Sequence, residues 1–226
     1  PGNQQIAVPG ARTILDAETL RGSVRFVPGP SLELAALSVE ADALSLRDAR
    51  AAAPAVLGAA DRLALHLRDL EDGAAPQNGY ALYAEAHTVR LPAALRELVD
   101  PTGALAPVAD SLEIDGRLAF DAPLDRRAVE VAAPGLTHLS LAQASLRWGE
   151  LAIALSGAVT ADRQGFAEGD VDLQAENWLE ILAAMVRAGM IGEETAATLR
   201  FGLGFFAQER NGRSVLSVPS LSKTAW

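Results

Sequence analysis

The chain has 226 residues, half of them hydrophobic and 21% charged, with a formal net charge of −10. That is a globular composition with enough chain for a sizeable core, and so acidic a balance excludes a nucleic-acid partner and disfavours adsorption on anionic headgroups. The absence of cysteine excludes disulfides, thiolate nucleophiles and Cys-ligated metals, and with no run near the roughly 18 apolar residues of a membrane span the chain as given reads as soluble.

Residues 1–30, with Pro1, Pro9, Pro28 and Pro30, read as an extended lead-in holding one strand at 23–27. Residues 31–226 read as a single β-rich domain, divisible into blocks 31–99 and 111–218 that each run from strands to helix. From Leu32 the hydropathy alternates. Leu37, Val39, Ala41 and Ala43 take one face, and Ser38, Glu40 and Asp42 the other. The phase slips by one at Leu44 and Leu46, which places a bulge or turn near Ala43. Residues 62–68 alternate cleanly as a strand, whereas the alanine-rich run before them favours a helix that Pro54 opposes. A strand follows at 80–91. Pro92 suits the first turn of a short helix at 92–99, stopped before Asp100-Pro101. Leu112, Ile114, Leu118 and Phe120 then oppose Glu113, Asp115 and Arg117 on a further strand.

The run LRWGELAIALSGAVTADRQGFAEGDVDLQ at 146–174 reads as an antiparallel meander with one apolar face. Gly149-Glu150 fits a two-residue type II′ turn. It sets Trp148 opposite Leu151, Leu146 opposite Ile153 and Ala144 opposite Leu155. A second turn at 162–165 sets Leu155 opposite Val171, Ile153 opposite Leu173 and Gly157 against Gly169, with Glu168, Asp170 and Asp172 outside. Asn177 and Glu180 form a capping-box pattern ahead of a helix carrying Trp178, Leu179, Ile181, Leu182, Met185 and Val186, with Gly189 closing it. A second helix runs from Glu193 to about Ala207, and Asn211-Gly212 turns the chain into a last strand at 214–218. The expected fold class is α+β: a mainly antiparallel β-sheet, a curved meander, with two to three helices packed on one face.

Candidate chemistry is sparse. GLGFFA at 202–207 matches a dinucleotide fingerprint, but that mechanism needs a strand before it and a helix after it, and here a helix precedes. Tyr83, Glu85 and His87 share a strand face, as a solvated polar face would also have it, and Asp170 and Asp172 pair on another strand without a calcium loop. No Gly-x-Ser-x-Gly elbow, phosphate loop or HExxH occurs. The expectation is a non-enzyme, with no catalytic residue, metal or cofactor.

The meander, followed by NWLEILAAMVRAGMI, a second helix and a short strand, resembles the C-terminal part of the bacterial domain of unknown function 2125 family. AALSVEADALSLRDA and YALYAEAHTVRLPAALRELVDPTGALAPVADSLEIDG are similar to its middle part. The resemblance implies a periplasmic protein, anchored to the inner membrane through a segment that this chain does not contain, and it brings no catalytic residues. More loosely, the pattern is similar to AsmA-type proteins, whose long sheets form lipid-binding grooves; this step is fold analogy.

Eight strands spaced ~4.8 Å and ~20 Å long would present a face of roughly 750 Å², and three helices of about 8, 12 and 15 residues would cover about 500 Å² of it. Two readings follow. In one the apolar face is a groove that binds a lipid or fatty acid, lined by Trp148, Leu151, Ile153, Leu155, Val171, Trp178, Leu182 and Met185. In the other the helices seal the face, and the protein is a structural or interaction module of the cell envelope. A hydrolase is the third.

Overall fold

The computed structural model describes residues 4–7, 13–48, 56–70, 76–93, 96–97, 105–149, 151–161, 167–187, 189, 191–210 and 213–218. Alternating hydropathy over most of that length yields twelve strands: β1 (Gln4–Ala7), β2 (Thr13–Ala17), β3 (Thr19–Phe26), β4 (Leu34–Asp48), β5 (Val56–Asp69), β6 (Gly79–Val89), β7 (Ala109–Phe120), β8 (Leu136–Trp148), β9 (Leu151–Ala161), β10 (Ala167–Glu176), β11 (Ala207–Arg210) and β12 (Arg213–Val218). They form one open antiparallel sheet in the order β1-β2-β4-β5-β6-β7-β8-β9-β10-β12-β11, with β3 also paired to β4. Residues expected to be a lead-in thus supply three strands of this sheet.

β2 and β3 share one edge of the long β4, β2 against Ser45–Asp48 and β3 against its first part. The break between them at Glu18 lies opposite the expected phase slip. Ala43 there adopts a left-handed φ of 50°, and the Glu18 N–H donates to the Asp42 carbonyl at 3.0 Å. The ambiguous run before residue 62 is strand from Val56 onward; Pro54 lies outside the described residues. Of the expected helix at 92–99, the Arg96 N–H donates to the Pro92 carbonyl at 2.9 Å, and the rest lies largely outside the described residues.

Among the described residues three helices accompany the sheet: α1 (Arg126–Glu130), α2 (Trp178–Arg187) and α3 (Glu193–Gly204). α1 has no counterpart in the sequence reading. It forms where the Asp125 side chain accepts the Arg127 N–H at 2.8 Å, an N-cap contact. α2 packs against β9 and β12, and α3 against α2 and β12. Their joint core is Ala175, Trp178, Leu182 and Leu216, with Ile181, Ile191, Leu199 and Leu203 around it. α3 stops at Gly204, short of the expected end, and residues 207–210 form β11 instead, paired to β12.

The β8–β9 register agrees with expectation: Trp148 faces Leu151, Leu146 faces Ile153 and Ala144 faces Leu155. Gly149 has a φ of 60°, the sign that the first position of a type II′ turn requires. The β9–β10 register differs by two residues. Leu155 faces Leu173, Ile153 faces Ala175, and Val171 faces Gly157. A two-residue slip keeps every side chain on its face, so hydropathy does not distinguish the two pairings. Backbone approach does. Gly157 and Gly169 have φ of 136° and 152°, and a Cβ on either would stand 2.1 Å from the Asp170 or Ala158 carbonyl oxygen. Each glycine therefore faces a valine, Val171 or Val159, rather than the other glycine.

Candidate functional site

Because directly paired residues share a face, the ladders sort the side chains into rows. One row runs Ala41, Leu63, Ala86, Leu112, Leu146, Ile153, Ala175 and Leu216; the next runs Val39, Leu65, Ala84, Ile114, Ala144, Leu155 and Leu173. Fully buried members are mostly alanines. Among the described residues the buried leucines are Leu182 and Leu216, both at the α2 contact, whereas Leu65, Ile114, Leu155 and Leu173 in the middle are only partly buried.

At the β8–β9 turn this apolar face deepens into a hollow of about 370 Å³, walled by Trp148, Leu151, Ile153, Leu146 and Leu112 from the sheet, by Ile181 from α2, and by Val89, Leu91, Leu105 and Ala109. Two hydrogen bonds fix its mouth. Trp148 Nε1 donates to the Ala106 carbonyl at 2.7 Å, and the Gly149 N–H donates to an Asp110 carboxylate oxygen at 2.7 Å. The indole is thereby 6% exposed with its one donor satisfied, presenting carbon to the hollow. The size falls at the lower end of small-molecule sites, and the lining has the apolar character of a hydrocarbon pocket.

Of the residues expected to line a lipid groove, Trp148, Leu151 and Ile153 meet in this hollow. Leu155 and Val171 lie on the same face further along the strands, partly buried. Trp178 and Leu182 are turned into the helix–sheet core, 4% and 8% exposed, and Met185 is partly buried on the next turn of α2. Ile181 was legible as part of the α2 stripe but not as a lining residue. Val89, Leu91 and Leu105 had no signal, because they reach the hollow from chain 40 to 60 residues away.

A second apolar hollow of about 380 Å³ opens between the β3–β4 connection and α1, lined by Phe26, Leu32, Leu34, Leu124 and Ala128, with Asp125, Arg126 and Glu130 on it. The Leu34 N–H donates to the Leu124 carbonyl at 2.8 Å and the Arg126 N–H to the Ser31 carbonyl at 3.2 Å, tying the two segments together. The Arg127 side chain beside Asp125 holds that carboxyl below its usual range.

The opposite face is polar. Tyr83 Oη donates to Glu85 at 2.6 Å, and His87 Nε2 lies 2.6 Å from the other carboxylate oxygen. These bonds lower the Glu85 pKa, and the first pushes Tyr83 up to about 12. Ser38 Oγ lies 2.9 Å from His66 Nδ1, with Glu40 3.9 Å from Nε2. β4 is paired through Ser38 to both β3 and β5, so its backbone N–H groups are committed to the sheet and do not form an oxyanion hole for that order of serine, imidazole and carboxylate. Asp170 and Asp172 are exposed. Among the described residues, no three metal-ligating side chains gather, and no helix is long and apolar enough to cross a membrane.

No curated protein and no solved structure matches the chain. One family model does, over residues 1–219, described as an uncharacterized protein conserved in bacteria. With nearly the whole sheet inside that match, the chain belongs to the bacterial domain of unknown function 2125 family.

Proposed function

We propose that the protein holds a fatty-acyl chain, free or as part of a lipid, along the apolar face of its sheet and does not act on it chemically. The observation that carries this reading is the extent of apolar face that the described helices do not cover. Eleven strands in the path, at ~4.8 Å spacing and a typical length of ~33 Å, present roughly 1,600 Å². Even if all three described helices lay on that face, they would cover about 400 Å² at ~10 Å width and 1.5 Å rise. The only partly buried Leu65, Ile114, Leu155 and Leu173 of the middle row are consistent with an incomplete cover. Monomers rarely leave apolar patches beyond a few hundred Å² unless something binds there. The hollow at Trp148, Leu151 and Ile153 offers an anchoring point for the chain's hydrocarbon end. The reading includes a place that rests on the resemblance to the family alone: the periplasmic side of the inner membrane.

Native mass spectrometry of the purified protein, with solvent extraction of its lipids, tests the reading together with displacement of a fluorescent fatty acid. Co-purifying lipid and saturable displacement are the expected results. A clean apo mass combined with no displacement would overturn it and leave a structural envelope module in its place.

A further inference from the structure

At the far end of α3, Phe201 and Phe205 are 76% and 77% exposed and Phe206 is 46% exposed. Phenylalanine is ordinarily among the most buried residues, and here three stand together on the surface. Phe201 and Phe205, one turn apart, touch edge to face with centroids 5.4 Å apart, so the rings support each other without reaching the core, which α3 meets through Leu199 and Leu203. Gly202 and Gly204 alternate with them and have nothing within 4 Å of a built Cβ. The result is a cluster of exposed aromatic rings at the end of α3.

We infer that this tip docks the protein on a phospholipid bilayer, with Phe201, Phe205 and Phe206 entering the acyl layer and Arg200 meeting lipid phosphate. Exposure and charge select this occupant: aromatic rings with an adjacent cation form the usual interfacial pairing. Arg200 shares a shallow hollow with Phe201 and Phe205, and no carboxylate is among the residues that line it; the neighbouring α2–α3 cleft is lined by Arg187, Glu193 and Arg200 together. The carboxylates of α3, Glu193 and Glu194, lie in its first turn, about 10 Å along the axis from Arg200 at 1.5 Å per residue. The chain also leads from Phe206 straight into Ala207, which faces Leu216 at the end of an apolar row. The tip therefore sits where the sheet's apolar face begins, and the inference rests on the acyl-chain reading for the traffic between the two.

Flotation of the protein with phosphatidylcholine vesicles, which its net negative charge does not oppose, is the test. The wild type is expected to float, the Phe201→Ser/Phe205→Ser variant to lose vesicle partitioning roughly tenfold or more, and Arg200→Glu to lose part of it. Circular dichroism should be unchanged, since both rings are exposed. Fatty-acid displacement without vesicles reports the groove separately and should be the same in wild type and the double variant. Wild type that does not float overturns the inference whatever the displacement assay shows. So does a double variant that floats equally well, or a wild-type dimer in light scattering that the same substitutions dissociate, which would make the tip an interface between copies. Floating protein with no displacement leaves the tip intact and overturns the groove.

Discussion

Glu85 accepts from Tyr83 and pairs with His87 through its two oxygens, and the consequence is measurable in how the tyrosines titrate. The chain has two tyrosines. Tyr83 is raised from 10.0 to about 12 by its hydrogen bond to Glu85, and Tyr80 is raised by burial. A raised pKa means a contribution to stability that is complete below the ordinary value and fades as pH climbs through the shifted one; the lowered Glu85 contributes above its ordinary value and loses that contribution as pH falls through the shifted one. Ultraviolet absorbance should show neither tyrosine half-ionised at pH 10 in the folded protein. Glu85→Ala should return one midpoint toward 10 and leave the other raised. A wild-type midpoint at 10 would contradict the Tyr83–Glu85 bond. The common strand face of Tyr83, Glu85 and His87 was legible from period-two spacing alone. The hydrogen bonds were not, because they depend on rotamers.

At the scale of elements, the start of α2 departs from its sequence signature. Asn177 and Glu180 match a capping box, which needs extended backbone at the cap, yet Asn177 has a left-handed φ of 55°. Its carbonyl still accepts the Glu180 and Ile181 N–H groups at 2.9 and 3.3 Å, so the helix begins where expected for a different backbone reason. Asparagine tolerates the left-handed region better than alanine does. Asn177→Ala should therefore cost about 1 kcal/mol in urea unfolding and Asn177→Gly only a few tenths. Equal losses in both would point to the side chain rather than the backbone. The β9–β10 ladder teaches a related lesson. Alternation placed the right residues inward, and the register was settled by the two glycines whose backbones approach the facing strand too closely for any Cβ. α1 and β11 are short, five and four residues, and so weakly marked in hydropathy that the sequence reading contains neither and carries α3 on to about Ala207.

For the whole molecule the question is whether water reaches the apolar face. Ile153 stands between Leu146 and Ala175 on that face, in the hollow, while Ala154 stands between Ser145 and Gln174 on the polar one. Ala154→Glu should change stability by less than about 0.5 kcal/mol. Ile153→Glu should leave the circular dichroism of a folded protein but abolish fatty-acid displacement. Unfolding by Ile153→Glu would instead mark a sealed core, in which an unpaired carboxylate is not tolerated. Greater damage from Ala154→Glu would reverse the assignment of the two faces.

By itself the sequence determined which side chains share a face across β4, β5, β7, β8, β9 and β10, because period-two alternation is local and needs no knowledge of the partner strand. It also determined the β8–β9 register, because a two-residue turn leaves one pairing. Only the tertiary structure decided the β9–β10 register, since a two-residue slip leaves the hydropathy pattern unchanged. Only it brought Val89, Leu91, Leu105 and Ile181 to the hollow beside Trp148, and only it left the phenylalanines of α3 without a cover. Each of these depends on which distant segments meet, and local spacing carries no information about that.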